Sequence, residues 1–141
     1  MIEDRIIKAH LGIGTTVKGT ALVGKDSFSA RYDLDRKRGV FARPGHVLYG
    51  ESYVGKILVL DAAKGGTATS WMLPDMCARK MAPLALLLNT ANPIMAQGAA
   101  FSDLSLMHRF DCDITMAIAT GDEVMVDPAA GMVIVCRTTQ L

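Results

Sequence analysis

The segment Lys64-Gly65-Gly66-Thr67-Ala68-Thr69-Ser70 places an ammonium group, two glycines and three hydroxyls within seven residues, directly behind the apolar run Ile57 to Leu60. A helical pattern follows it. A buried strand, a tight loop and a helix start, in that order, form an anion site, because the first N–H groups of a helix have no partner inside it. The chemistry expected there is the capture of a carboxylate or phosphate. The N–H groups of Gly65, Gly66 and Thr67 would donate, and Lys64 would supply the counter-charge. The hydroxyls of Thr67, Thr69 or Ser70 would bind substrate or relay a proton once activated. The segment lacks the glycine spacing of a Walker loop. A glycine turn with an N-cap therefore fits the same residues equally well.

Three further side chains are candidates for the same site. His46, after Pro44-Gly45, suits an acid, a base or a carboxylate ligand. Arg43 could clamp a carboxylate with its guanidinium fork, and Ser52 offers a hydroxyl ahead of the apolar run. Each also has an ordinary structural reading: a turn histidine, a surface arginine and a turn hydroxyl. Metal ligation by the chain itself is not expected. His10, His46 and His108 are far apart and no i, i+4 pair joins them, while Asp111 and Asp113 around Cys112 read best as a solvated strand start. A Ser-His-Asp arrangement has no Gly-x-Ser-x-Gly elbow to support it.

The elements that must hold these residues follow from hydrophobic period and turn signals. Residues 6–10 and 15–24 read as short strands punctuated by glycines. Residues 26–39 read as a hairpin tip whose charge run, Asp33 to Arg38, is a solvated face. Arg43-Pro44-Gly45-His46 is a turn, and 56–61 is a core strand. Trp71, Met72, Met76 and Cys77 recur at helical spacing over 69–80, with Thr69 or Ser70 as N-cap and Arg79 and Lys80 at the C-terminus. Pro83 to Leu88 is a second buried strand, and Asn92-Pro93 turns into a small-residue helix over 94–101. A short apolar segment spans 103–110, and Asp127 to Gly131 closes a hairpin between 123–126 and 132–136. These elements make one domain over 1–141, with many strands and two or three helices.

Composition narrows the class. The chain has 141 residues, 50% apolar and 21% charged, with a net charge of +1 and its cations dispersed. Such a chain is globular and lacks the clustered basic stripe of a nucleic-acid binder. Its apolar runs fall short of the roughly 20 residues that span a membrane, and Met1 to Arg5 is unlike a secretory signal. The three cysteines, with no Cys-x-x-C pair, point to reduced thiols in a cytoplasmic protein, and most of the nine methionines to an adaptable core.

Taken in order, the motifs are Gly45-His46, Gly50-Glu51-Ser52, Val54 to Val59, Lys64-Gly65-Gly66, Asn92-Pro93-Ile94 with Gly98-Ala99, Asp103, and Gly121-Asp122-Glu123-Val124-x-Val126-Asp127. Over residues 10 to 136 this order resembles the small subunit of aconitase X. The resemblance implies an α+β fold, a swivelling β/β/α domain like the aconitase C-terminal swivel domain. It implies a hydro-lyase active only with a large aconitase-X subunit, the active site lying between the two. That subunit would carry the iron or iron–sulfur centre, and this chain would bind none.

The substrate implied is a small hydroxy acid. The altered loop favours cis-3-hydroxy-L-proline or a related compound over the other family substrate, 5-phosphomevalonate. Related small subunits commonly read Gly-Lys-Gly-Ser-x-x-Gly-Ser at the loop, with a serine there as base. This chain has Gly66 at the first serine position. Thr67 is the nearest hydroxyl and the expected substitute, with Lys64, Gly65, Gly66, Thr69, Ser70, Arg43, His46 and Ser52 around the substrate. Asn92 stands where many relatives carry an acid. A chain that lost its base with Gly66 would instead be a non-catalytic assembly or binding module.

Overall fold

The computed structural model describes residues 2–10, 12–30, 32–64, 67–102 and 104–138. The chain opens with two strands, β1 (Ile2–Lys8) and β2 (Val17–Val23), followed by three two-residue strands, β3 (Ser27–Phe28), β4 (Leu34–Asp35) and β5 (Val40–Phe41). Then come β6 (Ile57–Ala63), α1 (Thr67–Ala78), β7 (Ala85–Thr90), α2 (Pro93–Ser102) and β8 (Ser105–His108). A single-turn helix α3 (Ile114–Ala117) precedes the hairpin β9 (Glu123–Asp127) and β10 (Met132–Thr138). The elements expected from the sequence are present, with α3 and the three short strands added.

The main sheet runs β1-β10-β9-β2-β6-β7-β8, with β3 paired to β6. Its first half is antiparallel. Its second half, β2-β6-β7-β8, is parallel, with α1 and α2 as the crossovers. The two outer strands meet. Past Lys8 the chain continues along β8, bridging Ala9 to Phe110 and Ile13 to Leu106, with Ile13 N–H and Leu106 N–H each donating to the other's carbonyl at 2.9 Å. Closing a sheet on itself removes the unpaired edges that would template aggregation. Gly12 sits in this seam, where a Cβ would stand 2.4 Å from the Leu106 carbonyl oxygen.

Period-two alternation along β6 builds two cores from one strand. Ile57 and Val59 face the barrel interior with Ala85, Leu87, Met107, Val124, Val126, Val133 and Val135. Leu58 and Leu60 face the other way, with Leu86, Leu88, Leu73 and Met76 of α1, and Met95 and Ala99 of α2. A strand buried on both faces reads as an unbroken apolar run, which is why 57–60 stands out in the sequence.

α1 begins at Thr67, two residues before the expected cap, so Thr69 and Ser70 lie inside its first turn. Pro74 is its eighth residue and donates no hydrogen bond. The helix stops at Lys80, which adopts φ 58°. Met81 N–H reaches the Met76 carbonyl at 2.9 Å and Lys80 N–H the Cys77 carbonyl at 3.1 Å, a Schellman ending with lysine where glycine is usual. α2 starts as the Asn92-Pro93 dipeptide suggests. The Asn92 side chain accepts from Met95 N–H at 2.8 Å, and Pro93 occupies the first helical position, where its missing donor costs nothing.

Candidate functional site

The parallel strands β2, β6, β7 and β8 end at Val23, Ala63, Thr90 and His108, so their C-terminal ends share one edge of the sheet. In sheets of this kind ligands collect outside that edge, where the loops diverge. The candidate loop leaves β6 there. Lys64 is pinned by its backbone, its N–H donating to the Phe28 carbonyl at 2.8 Å, while its side chain is exposed and makes no ion pair among the described residues. Gly65 and Gly66 lie outside the described residues, as do the side chains of Thr67, Thr69 and Ser70. The backbone of these last three forms the first turn of α1. That turn carries no acidic side chain to offset the partial positive charge of the helix start.

Beside the loop opens a cleft of about 340 Å³ lined by Asp26, Ser27, Ser29, Tyr32, Asp33, Arg43 and Lys64. The structure thus brings Arg43 and Lys64 together, although they stand 21 residues apart in the chain. Asp33 is buried, at 3% exposure, and its carboxylate accepts from Ser29 N–H at 3.0 Å and from Arg43 Nε at 2.5 Å. The second guanidinium contact is looser: Arg43 Nη2 lies 3.5 Å from both Asp26 oxygens. Asp33 holds the Arg43 guanidinium above its ordinary value despite partial burial, with Asp26 adding to the effect. Burial opposes ionisation of Asp26. Hydrogen bonds from Ser27 N–H and Val47 N–H, with nearby positive charge including Arg43, outweigh it and hold the carboxyl below its usual range. Arg43 is therefore a fixed cation, oriented from behind by two carboxylates.

The sequence did not mark Asp26 and Asp33 as site residues. The charge run from Asp33 is a solvated face only from Asp35 onward. Asp33 points inward because its hairpin folds back: Ala42 N–H and Arg43 N–H both donate to its own carbonyl, at 2.8 and 3.3 Å. Opposite charges flanking a hairpin were the available signal.

His46 lies under the cleft, 3% exposed, with its ring 4.6 Å from that of Phe41 and stacked on it. Its Nδ1 accepts from Leu48 N–H at 3.0 Å and its Nε2 donates to the Ser27 carbonyl at 2.8 Å. Both partners are backbone groups of fixed character, which sets the tautomer and occupies both ring nitrogens. His46 is thus a positioning residue, tying the 46–48 turn to β3. Ser52 accepts from Val54 N–H at 3.4 Å and bridges to Val40. It does not line the cleft, and the turn role fits it.

A family model for the aconitase X swivel domain matches residues 6–135. The chain belongs to the aconitase X swivel domain family. Among its relatives is a protein of Methanococcoides burtonii named phosphomevalonate dehydratase small subunit, 36% identical over 82% of this chain and 85% of that protein. The protein of that name from Methanocella arvoryzae is 34% identical over 90% of this chain and 96% of its own length. The crystal structure of Thermococcus kodakaraensis aconitase X in its holo form superposes with a TM-score of 0.86 at 27% identity, covering 93% of this chain and 98% of that one. These matches establish the swivel fold that the motif order implied.

Iron chemistry in this swivel domain would need ligands of its own. Among the described residues no three His, Cys, Asp or Glu side chains converge into a metal-binding group. Cys77, Cys112 and Cys136 are each half-buried and lie in separate parts of the fold. Desolvation, followed by Asp111, pushes the Cys112 thiol up. No described helix is long and apolar enough to cross a membrane.

Proposed function

We propose that this chain is the small subunit of a heteromeric aconitase-X-type hydro-lyase, completing its active site against a large subunit. The match of the whole swivel domain to small subunits named as phosphomevalonate dehydratases carries the reading. Those relatives favour 5-phosphomevalonate over the expected cis-3-hydroxy-L-proline. In the cleft Lys64 is the cation left to meet an anion, since Arg43 is already engaged by Asp33 and Asp26.

In the elimination, a base takes a proton from the carbon next to the carboxylate. The electron pair forms the C=C bond, and hydroxide leaves from the adjacent carbon. The hydroxyl proposed to take the proton is that of Thr67, with the loop N–H groups and Lys64 proposed to hold the carboxylate. The Lewis acid for the leaving hydroxide is assigned to the large subunit, and no step runs through a metal on this chain.

The test is co-expression with the large subunit and an NMR assay of water loss from 5-phosphomevalonate and from cis-3-hydroxy-L-proline. Turnover of the phosphorylated acid is expected, falling at least about 100-fold in Thr67→Ala with assembly intact. A stable complex that dehydrates neither compound would favour an assembly module, to which Gly66 also points. Failure to associate with the large subunit would remove the reading altogether.

A further inference from the structure

Two buried side-chain polar atoms in the described residues lack a hydrogen-bond partner, Tyr53 Oη and His108 Nδ1. The first lies in the closed core. The second belongs to a residue that lines a separate cavity of about 300 Å³, between the end of β8 and the start of α2, with Arg109, Asn92, Ile13, Pro93 and Leu106 among its walls. A buried polar atom without a partner is costly unless a ligand or water completes it.

The charge of the cavity is one-sided. Arg109 is exposed and makes no ion pair among the described residues, and the His10 ring lies 6.5 Å from that of His108. No carboxylate is among the described lining residues. Burial, then Arg109 and the His10 ring, hold the His108 imidazole below its ordinary value. The Arg109 backbone is fixed, at φ 57°, with its N–H donating to the Asn89 carbonyl at 3.2 Å. The α2 N-terminus adds little. Asn92 already takes Met95 N–H through its side chain and Ala96 N–H through its carbonyl, and Pro93 has no N–H to offer. Charge attraction for an anion therefore falls on Arg109, and His108 Nδ1 is left for a hydrogen bond. The opposite wall is apolar, formed by Ile13, Pro93, Ala96 and Leu106.

We propose that this cavity binds a small organic anion, its charged head held by His108 and Arg109 and its short aliphatic body against Ile13, Pro93 and Leu106. A cationic rim alone would attract any anion, whereas a cationic end on an apolar slot selects an amphiphilic one. The cavity is walled in part by the residues that follow β7 and β8 and shares no lining residue with the Arg43 cleft. The site does not depend on the dehydratase reading, and its ligand need not be the substrate.

The test titrates the isotope-labelled full-length chain with isopentyl phosphate, inorganic phosphate and 3-methylbutanol, following the His108 ring and the Arg109 amide by NMR. Isopentyl phosphate is expected to saturate both signals and to raise the His108 titration midpoint. Inorganic phosphate should bind at least several-fold more weakly, and the alcohol should leave both signals unmoved. Arg109→Asn, which tolerates the left-handed backbone, should weaken isopentyl phosphate at least tenfold, and His108→Gln provides a second variant. Shifts that never saturate, that persist in both variants, or that follow Lys64 and Arg43 instead would overturn the site.

Discussion

His46→Ala separates a positioning role from a chemical one. The substitution deletes two buried hydrogen bonds, leaving Leu48 N–H and the Ser27 carbonyl without their partner. Each bond contributes about 1 kcal/mol net, and a buried group left unpaired costs about 1–3 kcal/mol. The stacked contact with Phe41 at 4.6 Å is lost as well, which adds about 0.5–1.5 kcal/mol. Partial relaxation and water entry recover some of this, so about 3–4 kcal/mol of destabilisation is expected, a large share of a typical 5–15 kcal/mol. His46→Asn keeps an acceptor near the Nδ1 position and should recover about 1 kcal/mol. Urea unfolding of the three proteins at matched m-values measures the loss. Turnover of the reconstituted complex, assayed well below each melting point, measures chemistry separately. If His46→Ala unfolds like the wild type yet abolishes turnover, the positioning argument is wrong and the ring acts on substrate.

Burial raises the Tyr53 phenol from 10.0 to about 12, so its contribution to stability is complete below pH 10 and lost as the pH climbs towards 12. That difference amounts to about 3 kcal/mol. Tyr53→Phe, which removes an unpartnered hydroxyl, should be neutral or up to about 1 kcal/mol stabilising at pH 7, and should flatten the alkaline unfolding curve. A loss above 1 kcal/mol at pH 7 would reveal a partner for the hydroxyl. Lys80→Gly relieves a left-handed backbone at the α1 terminus and should raise stability by about 0.5–1 kcal/mol, checked by thermal melts. Gly12→Ala drives a Cβ to 2.4 Å from the Leu106 carbonyl oxygen at the barrel seam. It should cost about 1–3 kcal/mol, and hydrogen exchange should quicken at Ile13 and Leu106.

Local signals were enough wherever one strand, one helix end or one turn decided the matter. The apolar run at 57–60 is legible because β6 is buried on both faces, and Asn92-Pro93 because side-chain capping and proline's fixed φ act within a few residues. The start of α1 was misplaced by two residues: Thr69 and Ser70 are both good caps, and nothing local shows which hydrogen bond closes first. The motif order carried the family assignment across nearly the whole chain.

Long-range contact decided the rest. The inward turn of Asp33, the meeting of Arg43 with Lys64 and the seam of residues 9–13 against β8 join segments far apart in sequence. The chemistry of His46 was open in the sequence because a histidine's role depends on which atoms face its two nitrogens. A backbone amide and a backbone carbonyl face them here. Sequence by itself determined the strand–loop–helix unit that makes an anion site possible. Tertiary structure determined which charges stand beside it, because sheet register and loop return place side chains that no local propensity can bring together.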